Sequence, residues 1–272
     1  MPEPDAEPLP RGEVGTETWT FGADGRAVII VPSWLKPGGQ LPVLVALHGR
    51  GEAQKGPELG ALGWPNDYAL LRAIDRICKP PLTKKDFEGF VDDDRLADFN
   101  TSLTKRPFKG LIVVCPYLPD MDLQKPAPMR AYGEYLIKSL LPRVWKELPA
   151  IGTRASTGID GVSLGGAVAL RVGFANPDVF GAVGSLQAAI GSEQIQELTE
   201  EAKIAAKTGQ TLKLLTSHQD YFKKAITSLS SSLKTAGVAH DFADVAGPHD
   251  YSFNRGPGAL EMLAWHDRVL AT

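Results

Sequence analysis

Two hydrophobic rhythms alternate along this chain. Short, wholly apolar runs such as Val43–Leu47 and residues 111–115 have the length and β-branched content of strands buried on both faces. Between them lie stretches in which apolar residues recur every three or four positions, the spacing of a helix that turns one side to a core. The chain opens with a hairpin pattern: residues 16–21 alternate Thr, Trp and Phe with polar neighbours, Ala23-Asp24-Gly25 signals a turn, and residues 26–31 are apolar and β-branched. A loop carrying Gly38-Gly39 leads into Val43–Leu47. Residues 129–148 place Tyr132, Tyr135, Leu136, Leu140 and Val144 at helical spacing, with a kink expected at Pro142. A strand-like run ending in Ile159 is followed by a helix through Leu164, Val168, Leu170 and Val172 that stops at Asn176-Pro177. The pattern then predicts a strand and loop over 181–189 and a helix over 192–207, with Ser192 as N-cap and Gly209 past its end. A strand over 211–216, a helix over 221–235 ended by Gly237, a strand over 240–245 and a closing helix over 258–270 complete it. Strands alternating with helices predict an α/β fold with a mainly parallel central sheet and helices on both faces, its active residues at the carboxyl ends of strands.

One stretch breaks the alternation. Residues 56–109 hold a single plausible helix, over 66–77, with Tyr68, Leu71, Ile74 and Ile77 on one stripe; the remainder, with Pro80-Pro81, Asp92-Asp93-Asp94 and Pro107, reads as loop. A long irregular stretch inside a compact domain is expected to be an insertion with a function, here the shaping of a pocket. The 272 residues, 43% of them hydrophobic, suit one large domain over 16–272. Residues 1–15, rich in Pro and Glu, read as a disordered lead-in. Two histories fit that lead-in: a cytoplasmic protein with a loose N-terminus, or a chain whose secretion or lipoprotein signal has been removed, leaving an acidic, Pro-rich spacer. The second is preferred. A net charge of −3 with interspersed signs and no basic patch argues against nucleic acid as a partner. No apolar stretch reaches the roughly 18 residues that span a bilayer. The two cysteines, Cys78 and Cys115, are open to either a disulfide or two buried thiols.

The candidate chemistry lies in Gly161-Val162-Ser163-Leu164-Gly165, a Gly-x-Ser-x-Gly pattern between a strand and a helix. Such a nucleophile elbow holds a serine at the tip of a sharp turn, where small flanking residues let strand and helix backbones approach and a helix N-terminus favours developing negative charge. A serine hydroxyl needs a base to take its proton, and the base needs an acid to orient it. In chain order after the elbow, Asp220 follows one strand and His249 the next, in the loop Ala246-Gly247-Pro248-His249-Asp250. Asp241, Asp244 and Asp250 compete for the acid role. Among the other histidines, His48 precedes the elbow, His218 falls one strand early, His240 sits at the wrong end of a strand and His266 lies mid-helix. An oxyanion hole needs two backbone N–H donors: Leu164, next to the serine, and Arg50, with Gly51 second, from the loop His48-Gly49-Arg50-Gly51 after the third strand. Leu62 and Trp64, with Leu59 and Trp34, are candidate apolar walls for substrate, a core or surface-loop role being the equal alternative for each.

Four stretches carry a resemblance: Val45-Ala46-Leu47-His48-Gly49-Arg50-Gly51-Glu52, Tyr135-Leu136-Ile137-Lys138-Ser139-Leu140-Leu141-Pro142, Gly161 to Gly166 with Ala175-Asn176-Pro177-Asp178-Val179-Phe180, and Gly247-Pro248-His249-Asp250. Together, over about residues 19–270, the chain resembles the putative-esterase family of α/β-hydrolases, which includes feruloyl and acetyl-xylan esterases, S-formylglutathione hydrolases, siderophore esterases, polyhydroxyalkanoate depolymerases and mycolyltransferases. The resemblance implies the α/β-hydrolase fold and a serine hydrolase with Ser163 as nucleophile, Asp220 as acid and His249 as base. It would cleave a carboxylic ester, a small-molecule or carbohydrate or lipid ester, through an acyl-enzyme, with no metal or organic cofactor. Acyl transfer to an alcohol, thioester or peptide cleavage on the same machinery, and a non-catalytic binding role remain as alternatives.

Overall fold

The computed structural model describes residues 13–22 and 25–271. The expected lead-in therefore lies outside the described residues as far as position 12, as do Ala23 and Asp24 of the expected turn. Strand β1, Val14–Phe21, already begins within the segment assigned to the lead-in and pairs antiparallel with β2, Gly25–Pro32. Six further strands follow: β3 Val43–Leu47, β4 Ile112–Pro116, β5 Thr157–Gly161, β6 Ala182–Leu186, β7 Thr211–Gln219 and β8 Asp241–Pro248. They form one eight-stranded sheet in the order β1-β2-β4-β3-β5-β6-β7-β8. The six strands from β4 to β8 are mutually parallel, as the strand–helix alternation requires.

The apolar runs are continuous because each strand feeds two cores. In β3, Val43, Val45 and Leu47 point to one face of the sheet while Leu44 and Ala46 point to the other; in β4, Ile112 and Val114 oppose Val113 and Cys115 in the same way. The first face is covered by α5 (Pro126–Tyr135), α6 (Leu141–Glu147), α7 (Leu164–Ala175), α8 (Ile195–Ala206) and α9 (Lys223–Thr235). A π-helical turn, Leu136–Leu140, joins α5 to α6 immediately before Pro142, so the expected kink appears as a widened turn that accommodates the missing N–H. Ser192 is not an N-cap: Ser192–Gln194 form a 3-10 turn that leads into α8.

The second face is covered by α11 (Ala259–Val269) and by the stretch from 56 to 109, which departs from its loop-like reading. After α1 (Arg50–Ala53) come α2 (Gly56–Gly60), a π turn Gly63–Asp67, α3 (Leu70–Ile77), a 3-10 turn Lys84–Phe87 and α4 (Asp93–Lys105). The helix expected over 66–77 is interrupted at Ala69, whose φ of 52° lies in the left-handed region. Trp64, Tyr68, Ile74, Phe87 and Leu103 sit in the second core, so this segment is part of the fold's packing. Cys78 and Cys115 are not joined in a disulfide, and burial raises the Cys115 thiol well above its ordinary pKa. Among the described residues, no helix is long and apolar enough to cross a membrane.

Candidate active site

Gly161 ends β5 and Leu164 begins α7, leaving Val162 and Ser163 to make the reversal. Ser163 is held at φ 56°, ψ −113°, a region L-residues enter at a cost. Its backbone is fixed from both sides: its N–H donates to the Leu186 carbonyl at 3.0 Å, and its carbonyl accepts from Ala189 at 2.9 Å. The flanking glycines are needed for close approach. A Cβ on Gly161 would lie 2.5 Å from the carbonyl carbon of Gly165, and one on Gly165 would lie 2.4 Å from the Leu47 carbonyl oxygen. The elbow is therefore wedged against the end of β3 as well as against its own strand.

Strand β7 runs past the expected 211–216, through a register shift at Ser217/Gln219, and delivers Asp220. Strand β8 likewise extends to Pro248, so that His249 follows it directly. The three side chains meet: Ser163 Oγ lies 3.1 Å from His249 Nε2, and His249 Nδ1 lies 2.7 Å from Asp220 Oδ1. Asp220 can only accept, so Nδ1 carries the proton and Nε2 presents its lone pair to the serine hydroxyl. The Asp220 side chain is fully buried yet satisfied, accepting from Thr216 Oγ1 at 2.7 Å and from the Phe222 N–H at 3.0 Å. The rival acids are engaged elsewhere: Asp241 accepts from Trp265, Asp244 pairs with Lys223, and Asp250 caps a short helix, α10 (Tyr251–Phe253). So are the rival histidines. His218 is exposed near Asp244, and His240 bridges Ser230 and the Val238 carbonyl. His266 is wholly buried against Asp160, beneath the elbow strand, where burial lowers its pKa.

The loop after β3 packs on the elbow. His48 is buried, with Nδ1 2.9 Å from the Gly49 carbonyl and Nε2 accepting from the Leu118 N–H at 2.9 Å, a pairing that fixes the neutral tautomer. Burial accordingly lowers its pKa. Arg50 and Gly51 open α1 and Leu164 opens α7; first-turn N–H groups have no partner within their own helix. The Arg50 guanidinium is half exposed and paired: its Nε donates to Asp120 at 2.9 Å and Nη2 to the Met121 carbonyl at 3.3 Å.

The expected apolar walls are not assembled. Trp64 is fully buried, donates to the Leu47 carbonyl at 2.9 Å and stacks edge-on against Tyr68, which makes it core. Leu62 packs partly buried against the same core, Trp34 is buried with its indole N–H on the Lys109 carbonyl, and Leu59 is exposed. The exposed ring beside the site is that of Tyr221, 5.1 Å from the His249 ring. A cavity of about 660 Å³, walled by Met129, Gly133, Arg171, Val172, Ala175 and Glu201 among others, lies over the far half of α7, and neither Ser163 nor His249 lines it. Among the described residues, no group of three or more His, Cys, Asp or Glu side chains is placed to hold a metal ion.

Three supporting groups escape a sequence reading. Gln187, buried at φ 47°, donates to Ser217 Oγ at 2.6 Å and to the Pro248 carbonyl at 2.9 Å, clipping the residue before His249 to β7. Glu52 and Tyr68 stand behind the β3 loop, where Glu52 is buried and accepts from Tyr68 and Tyr251. No motif marks them, since their partners are remote in sequence.

Residues 120–252 match the family model described as Putative esterase. No protein of curated function matches the sequence. Among solved structures, a ferulic acid esterase superposes with a TM-score of 0.70 at 16% identity, covering 96% of this chain and 99% of that one. The S-formylglutathione hydrolase of Staphylococcus aureus superposes at 0.64 and 17%, covering 96% and 99%. A fluorophosphonate-binding serine hydrolase of the same organism superposes at 0.66 and 14%, covering 95% and 100%. At these identities the likeness is one of fold, the α/β-hydrolase fold.

Proposed function

We propose that the chain, whose residues 120–252 match the esterase family model over a span that takes in Ser163, Asp220 and His249, is an esterase that cleaves carboxylic esters through a serine-bound acyl intermediate. His249 Nε2 takes the Ser163 proton as Oγ attacks the ester carbonyl, and Asp220 stabilises the imidazolium that forms. The resulting oxyanion is held by the N–H groups of Leu164 and Arg50, with Gly51 next in line, at the start of two helices whose dipoles favour negative charge. Collapse expels the alcohol, protonated by His249. Water, deprotonated by the same imidazole, then attacks the acyl-serine, and collapse of the second tetrahedral intermediate returns Ser163 and releases the acid. The observation that carries the reading is the continuous relay from Asp220 through His249 to Ser163, at 2.7 and 3.1 Å.

The substrate is an ester of a small molecule, carbohydrate or lipid. The exposed Tyr221 ring beside His249 offers it an apolar face in place of the expected Trp64 and Leu62 walls. Hydrolysis of p-nitrophenyl esters from acetate to octanoate tests the reading. Wild type is expected to cleave the short esters, and Ser163→Ala and His249→Ala to lose about 10,000-fold or more in kcat. Activity surviving in Ser163→Ala would sink the acyl-serine mechanism.

A further inference from the structure

Glu52 is a buried carboxylate that this mechanism leaves without a task. It is the third residue of α1, only 1% exposed, one position beyond the segment that supplies the proposed oxyanion hole. Each of its oxygens takes a phenol from a different part of the chain. Tyr68, just past the π turn, donates to Oε2, and Tyr251, two residues beyond His249, donates to Oε1 at 2.5 Å. Lys55 approaches Oε1 at 3.4 Å and is itself paired with Asp67 at 2.8 Å.

The phenols connect in turn to the loop. Tyr68 accepts the Gly49 N–H at 3.1 Å, fixing the peptide that enters α1. The Tyr251 hydroxyl lies against Gly51, so close that a Cβ there would be 3.3 Å away. Gly63 packs under the Glu52 stem, which takes the space a side chain at position 63 would need: a Cβ there would be 2.7 Å from Cγ. A carboxylate is suited to this junction because it is acceptor-only at both oxygens and makes charge-assisted bonds to both phenols, whereas an amide offers one acceptor and two competing donors. Burying a charge is unfavourable in itself, and an apolar residue could fill the volume. What the charge adds is a fixed distance between two loops.

We propose that Glu52 is a positioning residue for ester hydrolysis, its carboxylate holding the Gly49–Gly51 segment in register with the His249 loop through Tyr68 and Tyr251. This rests on the reading of Ser163, Asp220 and His249 given above and adds the group that keeps hole and base aligned. Displacement of a reacting geometry by about 1 Å costs on the order of 100-fold in rate. Glu52→Ala is therefore expected to lower kcat for p-nitrophenyl acetate about 10- to 100-fold with KM nearly unchanged. The inhibition constant of a trifluoromethyl ketone, which binds as the tetrahedral adduct, should rise by the factor by which kcat/KM falls. Glu52→Gln, with one acceptor left, should recover part of the loss.

Tyr251→Phe removes one hydroxyl at a part-exposed position. It is expected to lower kcat about 3- to 10-fold, the worth of one hydrogen bond, at an unchanged melting temperature, so it reports even where a Glu52 variant fails to fold. Glu200→Gln, on the exposed side of α8, is the control that stays at the wild-type rate. The proposal is overturned if folded Glu52→Ala or Tyr251→Phe turns over at the wild-type kcat, or if the loss falls on KM alone with ketone affinity unchanged. Failure of the underlying reading looks different: wild type neither hydrolyses any ester nor is labelled at Ser163 by a fluorophosphonate, and the role of Glu52 falls with it.

Discussion

Asp220 sets the proton on one nitrogen of His249, and much of the proposed chemistry depends on that choice. Its Oδ1 can only accept, so the imidazole must donate from Nδ1 and keep Nε2 free for Ser163. In Asp220→Asn the amide can donate to Nδ1 instead, stabilising the tautomer with its proton on Nε2, which cannot accept from serine. A fall in kcat of about 10,000-fold is expected, with little change in KM and intact folding by circular dichroism. A variant within tenfold of wild type would mean that another carboxylate orients the histidine. At this scale the sequence was informative where chemistry is local. Ser163 is flagged by its glycines, His249 by its loop, and Asp220 by its place between them. It was silent where a side chain works on a distant segment: Glu52 meets Tyr251 across 199 positions and Gln187 meets Pro248 across 61. For Trp64 it left core and pocket wall both open, because an apolar side chain looks the same in either, and the structure places the ring in the core.

At the scale of elements, the strands β3 and β4 were legible as short unbroken apolar runs, and the helices α7 and α11 as longer apolar stretches bounded by turn residues. Helix α4 was not, since it buries only Leu103 and so has almost no stripe to detect. The run Asp92-Asp93-Asp94, read as loop, is in fact its beginning: Asp92 accepts from the Arg95 N–H at 2.8 Å as N-cap, and the next two carboxylates sit at the positive end of the helix. What fastens α4 is Arg95, which bonds Glu261 of α11, itself 2.9 Å from Lys213 of β7. Burial alone would raise the Glu261 pKa, but Lys213 and Arg95 outweigh it and hold the carboxyl below its ordinary range. Glu261→Gln leaves Lys213 buried beside a neutral group, and a loss of about 3 kcal/mol in urea unfolding at pH 7 is expected. Because the folded pKa is the lower one, this contribution is complete above the unfolded carboxylate value of about 4.3 and is lost as pH falls through the folded value. The gap between wild type and Glu261→Gln should therefore close on acidification, and a gap that stays constant to pH 3 would refute the assignment.

At the scale of the molecule, the parallel sheet brings Gly49–Gly51, Ser163, Asp220 and His249 to the carboxyl ends of β3, β5, β7 and β8. That convergence follows from strand–helix alternation alone, since parallel strands share one active end. The position of β4 between β2 and β3 has no local signature and had to be seen. The whole fold also bears the cost of its sharpest turn. Ser163 sits at φ 56°, where a non-glycine backbone is strained by roughly 1–3 kcal/mol, while glycine is at ease. Against that relief, Ser163→Gly gives the unfolded chain about 0.4–1 kcal/mol of extra freedom, so the balance favours the variant by about 1 kcal/mol. Its melting temperature should rise by about 2–4 °C, as calorimetry would register, and a fall would show the turn to be relaxed. Heat and turnover thus ask for different residues at the same position. A campaign that ranks mutants by thermal survival alone would enrich a protein that lasts longer and lacks the proposed nucleophile.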